Sequence, residues 1–559
     1  MTKCKLYYHI ILFMMFSIIL CLTCFGSKTL VNHNLLGYID LSVIFDEISV
    51  SFLFTVGMVS YFVLLYTSEY MKEDSSKSKF VLIMVTFILS MLILATSGNL
   101  FWALLGWDGL GLSSFCLIVF YQNLKGKLSG VMTFLYNRVG DVFMISSVCF
   151  VSAHNSIMTS WTKALAYLHK VEESILSKMS MLLTTTSFSK SAQIPFSAWL
   201  PKAMAAPTPV SALVHSSTLV TAGVFLTIRF FPSFSSGLQS FFVKWISCFT
   251  VMMAALGALF EWDLKKIIAF STLSHIGFMF MYLSIDLINC ALFHMSMHAI
   301  FKSLLFMCAG VVIHDSINSQ DIRYIGFSLP QQQLWVIFVT SILSMMGVPF
   351  MCGFYSKDLM VLNFINATNV TLFGLFVFMS IALTCAYSMR MVYYLWKNSM
   401  LMKLMDKLNE IGTSLKFTSI LSITMGSWMV SYSFPEIFFD YSMAGILFKV
   451  VLLAVLVIGS IFGKVMSRSL DWGKVFSNLW YSGIVFCFLG NPLFKMSQEW
   501  LYKLDAKGLI DYSLETTSKV IKKYITLSNM FMYSFYNKFM KTFKVMFSFY
   551  LVSTIPQDK

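Results

Sequence analysis

The chain is written as a series of apolar runs, each close to the ~20 residues that cross the hydrocarbon core of a bilayer as a helix. They fall at residues 6–25, 43–66, 79–97, 99–121, 130–153, 211–231, 245–260, 267–285, 288–313 and 334–350. Others lie at 370–396, 415–433, 443–463, 476–494 and 538–554. With a less regular stretch at 178–206 they make roughly sixteen crossings of that length. Backbone groups in lipid must pair within their own segment, so the runs are expected to be helices. Composition leads the same way: charged residues are only 12% of the chain and mean hydropathy is +0.75, against about 25% charge in a soluble domain. The expected fold class is an all-α polytopic membrane protein.

The balance of 40 basic against 26 acidic residues gives +14. In a soluble chain this would suggest nucleic acid. Here the positives sit largely in short loops and near the C-terminus, as at Lys72, Lys77, Lys79, Lys125 and Lys127. Such clusters mark span ends and orientation, so no nucleic-acid partner is expected. Cys21 and Cys24 form a C-x-x-C inside the first apolar run, with no second pair to complete a zinc or redox site. The first run exceeds a usual signal-peptide core and no A-x-A site follows, so it is expected to be a retained first helix. A total of 55 Phe and 39 Met points to an AT-rich organelle genome.

Two stretches interrupt the helical pattern. IPFSAWLPKAMAAPTPV contains Pro195, Pro201, Pro207 and Pro209, four of the chain's ten prolines. Proline removes a backbone donor and stops a helix. The second stretch is GVPFMCGFY, with Gly347, Pro349 and Gly353. Paired interruptions in two halves of a membrane protein point to a transport site; a surface loop is the alternative for the second. After residue 495, charged residues mix with Leu, Ile, Tyr and Phe at helical spacing, which fits a helix lying along the interface.

Ionisable residues within the spans are the functional candidates, because each costs about 2.5–3.5 kcal/mol at mid-bilayer. His294, His298 and Lys302 are spaced four and four, and so stack on one helix face. Histidine titrates near neutral pH and desolvated lysine changes its protonation state readily, which suits a proton relay. Structural hydrogen bonding and a zinc site are the competing readings, although lysine is a poor ligand. Asp108 lies mid-span among Gly106, Gly109 and Gly111, which allow close helix approach; such an acid is expected to be neutral or paired with a lysine of another helix. Arg138 and Asp141, three apart, can pair along one face in a structural or a relay role. Lys190 precedes the first interruption, His215 follows it, and Lys357 and Asp358 follow the second. A lysine beside an interrupted helix meets freed carbonyls. Lys265 and Lys266 lie at a span boundary beside Asp263 and are expected to be interfacial anchors. There is no G-x-G-x-x-G after a strand, no Walker loop and no iron–sulfur cysteine cluster. No nucleotide, flavin or redox centre is therefore expected in this chain.

These residues carry a family resemblance. LLGWDGLGLSSFCLIVFYQN, NRVGDV, SKSAQIPFSAWLPKAMAAPTPVSALVHSSTLVTAGVFLTIRF, DLKKIIAFSTLSHIG, HAIFKSLLFMCAG, QDIRYIG, GFYSKD and AYSMR occur in the order seen in the subunit-5 family of mitochondrial NADH dehydrogenase, the distal antiporter-like subunit of respiratory complex I. The likeness runs from about residue 97 to 396. It implies two inverted repeats of five helices, each with a broken helix, and a lateral helix. It also implies proton translocation coupled to ubiquinone reduction by NADH, with NADH, FMN, iron–sulfur clusters and ubiquinone held by other subunits and no cofactor here. The implied organisation is N-terminal helices at 1–96, an antiporter-like core at 97–400, further spans at 401–495, then the lateral helix and a terminal span at 496–559. Carried over by motif, Asp108, Lys190, Lys302 and Lys357 are the principal acid and lysines, joined by His215, His294 and His298. Implied partners are other complex I membrane subunits, above all the adjacent antiporter-like one, accessory subunits, and lipids including cardiolipin. The implied location is the mitochondrial inner membrane, with the gene in the mitochondrial genome. Many members have Glu where this chain has Asp108, and some have Glu where it has Ala205. Bacterial cation/proton antiporter subunits share many of these motifs and are the alternative family reading.

Overall fold

Apolar periodicity becomes helix nearly throughout. The computed structural model describes residues 29–35, 39–72, 74–154, 173–229, 237–316, 319–326, 332–357, 361, 372–397, 408–432 and 446–466. The expected first helix with Cys21 and Cys24, the spans at 476–494 and 538–554, the lateral helix and Asp358 lie outside the described residues. The described helices supply eight spans long and apolar enough to cross a membrane, one of them, Thr208–Arg229, made of two helices in line.

The chain is mostly helical but not purely so. Strands β1 (Thr29–Leu35) and β2 (Ile39–Phe45) pair antiparallel, with Thr29 opposite Phe45 and Leu35 opposite Ile39. This corrects the all-α expectation: IDLSVIF is apolar, but it alternates with the period of a strand. Helix α1 (Glu47–Tyr70) follows at once, and the Asp46 N–H donates to Ser49 Oγ at 2.8 Å where the helix starts.

Helices α2 (Lys77–Ala95), α3 (Leu100–Ile118), α4 (Leu124–His154) and α5 (Glu173–Lys190) come next and pack in sequence, α2 on α3, α3 on α4 and α4 on α5. Three shorter helices follow: α6 (Trp199–Ala203), α7 (Thr208–Val214) and α8 (Leu219–Arg229). Then come α9 (Gly237–Phe260), α10 (Leu264–Leu283), α11 (Ile288–Asp315), α12 (Gln332–Met346), α13 (Leu372–Lys397), α14 (Leu408–Tyr432) and α15 (Ile446–Met466). Helix α11 is the centre of the fold, in contact with α1, α7, α10, α12 and α14. It is apolar all round apart from its ionisable file, as expected of a helix that meets protein on every side.

Lipid tails are as apolar as leucine, so helix association here depends on close packing. Gly106 provides it: a side-chain carbon there would overlap the backbone of Leu94 on α2. Gly109 likewise receives Ser90, whereas Gly111 has nothing within 4 Å and is no approach site. One end of α9 is closed by Arg390, whose Nη1 donates to the Leu259 carbonyl and to the Glu261 carbonyl at 2.9 Å. Its guanidinium lies 4.3 Å from the Trp262 ring, and Arg323 lies 4.8 Å from the same ring. Backbone bonds from Leu264 to Gln320 and from Ile322 to Trp262 tie this loop to the one after α11. Burial pushes the Asp321 carboxyl up, but its bonds to Arg323 more than offset this and hold it below the usual range.

Replacing Gly106 with Ala is expected to cost about 1–3 kcal/mol by overpacking and to lower the thermal midpoint of the purified protein. Gly111→Ala should leave that midpoint unchanged.

Candidate functional site

The interior polar groups fall into two networks. The first lies between α3, α4 and α5. Lys190, the last residue of α5, is fully buried. Its Nζ donates to the Trp107 carbonyl at 2.5 Å and sits 3.8 Å from the centre of the Trp107 ring. The indole N–H of Trp107 donates to Asp141 at 2.9 Å. Arg138 pairs with Asp141 at 3.0 Å, as the three-residue spacing predicts, and reaches Asp108 at 3.8 Å. The basic partner of Asp108 within ion-pairing distance is thus an arginine, not the lysine expected. Asp108 and Lys190 are linked indirectly, through Arg138, Asp141 and Trp107. Asp141 is buried, but the Asp108 and Arg138 side chains are 36% and 39% exposed on the outer face of the bundle.

Both interruptions are present, and each has an identifiable cause. After α5, Ala192 takes a left-handed conformation (φ 56°), and the Gln193 N–H reaches back to the Phe188 carbonyl. That geometry usually falls to glycine at a helix C-terminus. Pro207 then precedes α7, with Pro209 in its first turn. Helix α12 ends the same way, with Gly347 left-handed (φ 87°) and the Val348 N–H bonded to the Leu343 carbonyl.

A third interruption was not read from the sequence. Helices α7 and α8 together make one 22-residue span, Thr208–Arg229, buried up to Ile228, that breaks at residues 215–218 with no proline or glycine. Serine and threonine replace the lost backbone pairing. Thr218 Oγ1 donates to the Leu213 carbonyl at 2.9 Å, Ser216 Oγ to the Ala212 carbonyl and Thr221 Oγ1 to the Ser217 carbonyl at 2.7 Å. The signal was available: three consecutive hydroxyl residues follow His215 inside an apolar run.

The second network crosses from this break through α11 to α13. His298 Nδ1 lies 3.1 Å from the carbonyl oxygen of Ser216, at the break itself. His294 Nδ1 is 3.0 Å from Ser356 Oγ, and its Nε2 is 3.2 Å from Nδ1 of His275 on α10. The His275 and His298 rings lie 5.7 Å apart, so three imidazoles cluster where the spacing showed two. His275 was overlooked because it stands alone on its helix, although it too lies mid-span. Lys302 donates to Ser271 Oγ at 2.6 Å and is 3.1 Å from Met345 Sδ. Lys357 donates to Thr384 Oγ1 at 2.7 Å and is 3.4 Å from the Met346 carbonyl at the second interruption. His215 is buried beside Trp199, ring centres 6.1 Å apart, and neither ring nitrogen meets a partner among the described residues. Among those residues no group of three or more His, Cys, Asp or Glu is arranged to hold a metal ion.

Lys265 corrects the expectation of a surface anchor. It is only 6% exposed and donates to the Ala206 carbonyl at 3.2 Å, beside Pro207. Lys266 is the exposed member, paired with Asp263 at 2.6 Å and Glu261 at 3.3 Å.

The family model described as "NADH:quinone oxidoreductase/Mrp antiporter, TM" matches residues 97–384, and that for the complex I chain 5 N-terminus matches residues 37–81. NADH-ubiquinone oxidoreductase chain 5 of Anopheles quadrimaculatus is 38% identical over 85% of this chain and 81% of its own. The Locusta migratoria protein of the same name is 46% identical over 63% of this chain and 61% of its own. The chain belongs to the NADH-ubiquinone oxidoreductase chain 5 family. Solved structures extend the likeness to the fold. A chain of the Mrp complex from Dietzia sp. superposes with TM-score 0.75 at 20% identity, covering 95% of this chain and 60% of that one. A chain of an archaeal membrane-bound sulfane sulfur reductase gives 0.70 at 17%, covering 82% and 93%. Both networks of this family member fall largely within the segment matched by the antiporter model.

In the first network, Trp107→Phe keeps a ring beneath Lys190 but removes a donor from buried Asp141. A stability loss of about 1–3 kcal/mol is expected, read as a lower thermal midpoint; an unchanged midpoint would remove the indole from the network.

Proposed function

We propose that the protein is a core membrane subunit of NADH:ubiquinone oxidoreductase that moves protons across the inner mitochondrial membrane through its buried Lys/His/Asp series. The observation that carries the reading is the contact series at the centre of the fold. The Ser216 backbone carbonyl at the helix break meets His298, whose ring lies 5.7 Å from that of His275, and His275, His294 and Ser356 then follow in hydrogen-bonding contact, with Lys302 and Lys357 beside them. A neutral imidazole accepts a proton at one nitrogen and releases one from the other, so such a row transmits protons without moving a heavy atom far. Lys302 has no carboxylate within ion-pairing distance among the described residues. Among the described residues a charge arriving there meets Ser271, Met345 and the Phe301 ring but no carboxylate, which favours passing it on.

In this reading Asp108, Arg138, Asp141 and Lys190 form the counterpart in the first half, with His215 between the halves. Residues 97–400 are the translocating core, built as two inverted repeats within roughly sixteen spans at bilayer length. Residues 1–96 and 401–495 supply flanking spans, and 496–559 a lateral helix and a final span. Electron transfer from NADH, with FMN, iron–sulfur clusters and ubiquinone, belongs to other subunits. The half-exposed Asp108–Arg138 pair shares its helices with exposed Leu105, Leu112, Leu135 and Val142. A charged pair facing lipid tails is costly, so this face is the seat of another membrane subunit, the adjacent antiporter-like one. Accessory subunits and lipids including cardiolipin cover other faces. The likeness to the Mrp complex concerns fold alone and does not favour the cation/proton antiporter alternative.

Lys302→Met should lower NADH-driven proton transfer by roughly 10²-fold, the lower end of what loss of a positioned proton-transfer group costs. The measurement is proton uptake by vesicles containing the assembled complex. Normal uptake by an assembled variant would overturn the relay.

A further inference from the structure

A pair of buried hydroxyls lies outside both networks. Tyr66 on α1 and Thr208, the first residue of α7, are both fully buried. Their hydroxyls lie close enough to interact, yet among the described residues neither meets a partner in good hydrogen-bonding geometry. Both converge on Gly310 of the central helix, where a side-chain carbon would overlap Tyr66 Oη and Thr208 Oγ1 alike. An unsatisfied buried hydroxyl costs about 1–3 kcal/mol, and filling the space with a methyl group would be the simpler solution. The space is held open for the hydroxyls.

The surroundings say what the space connects. Outward, the Tyr66 ring lies 5.4 Å from Tyr70, which lies 5.8 Å from His314 near the end of α11. Tyr70 and His314 are half-buried, close to where α1 and α11 both end. Inward, along α7, Ser211 Oγ donates to the Thr208 backbone carbonyl at 2.8 Å and the His215 backbone N–H to the Ser211 carbonyl. Lys265 occupies the Ala206 carbonyl two residues before Thr208.

We propose that Tyr66 and Thr208, in the space left by Gly310, form a hydroxyl relay carrying protons between the membrane face at Tyr70 and His314 and the start of α7, the first half of the broken helix. The inference rests on the proton-translocating reading and names a route into it. Each hydroxyl accepts a proton on an oxygen lone pair while its own proton leaves to the next acceptor, so neither group changes charge over a cycle.

The test uses the intact complex in vesicles, comparing Thr208→Val, Thr208→Ser, Tyr66→Phe and Gly310→Ala, with NADH-driven proton uptake and its solvent deuterium isotope effect as readouts. Thr208→Val, Tyr66→Phe and Gly310→Ala should each slow uptake by roughly 10²-fold. Thr208→Ser, which keeps the hydroxyl, should retain both rate and isotope effect. If Tyr66→Phe or Gly310→Ala does not assemble, the near-isosteric Thr208 pair decides. Equal rates for Thr208→Val and Thr208→Ser overturn the relay. Normal uptake in Thr208→Val alongside blocked Lys302→Met overturns this route alone; normal uptake in both overturns the proton-translocating reading itself.

Discussion

A carbonyl released from a helix inside an apolar bundle must find a donor within the protein, and much of this structure follows from that requirement. The Ser216, Ala206 and Met346 carbonyls lie at or beside interruptions, and their neighbours are His298, Lys265 and Lys357. Each contact meets two needs at once. The carbonyl gains a partner, and a side chain too costly to leave unpaired in a membrane interior gains an acceptor. The interruptions and the buried bases therefore stabilise one another. Replacing either alone would strand the other.

The two networks solve the same problem with different chemistry. Between α3 and α5 two acids, Asp108 and Asp141, share one arginine, Arg138, and an indole passes the connection on to Lys190. Around α11 the groups are bases throughout, held by hydroxyls, a thioether and backbone carbonyls. Neutral imidazoles tolerate burial where a row of fixed charges would not. The acid-containing network sits partly on an outer face, where another subunit can complete it; the basic one is enclosed by this chain alone.

Legibility in the sequence followed the range of the interaction. The spacing of His294, His298 and Lys302 determines a common face because helix geometry is local, and the Arg138–Asp141 pair was readable for the same reason. Glycine and proline announced the interruptions after Lys190 and Met346. The break at His215–Thr218 was missed because serine and threonine only compete with helix pairing, and the outcome depends on what the rest of the fold offers. The strand pair was missed because a short apolar run does not by itself distinguish a strand from the start of a span. Lys265 and Lys266 carry the same local signal, although one helical step separates a buried lysine from an exposed one.

The sequence by itself determined that this chain lives in a bilayer, where its long helices lie, which ionisable groups its spans carry, and which family it resembles. Those follow from local composition, period and motif. Only the tertiary structure decided that His275 joins His294, that Arg138 stands between Asp108 and Asp141, that Lys265 turns inward, and that Tyr66 and Thr208 meet over Gly310. Each of these joins residues from different helices. Partners of that kind are set by how the helices pack, which no periodicity within a single helix encodes.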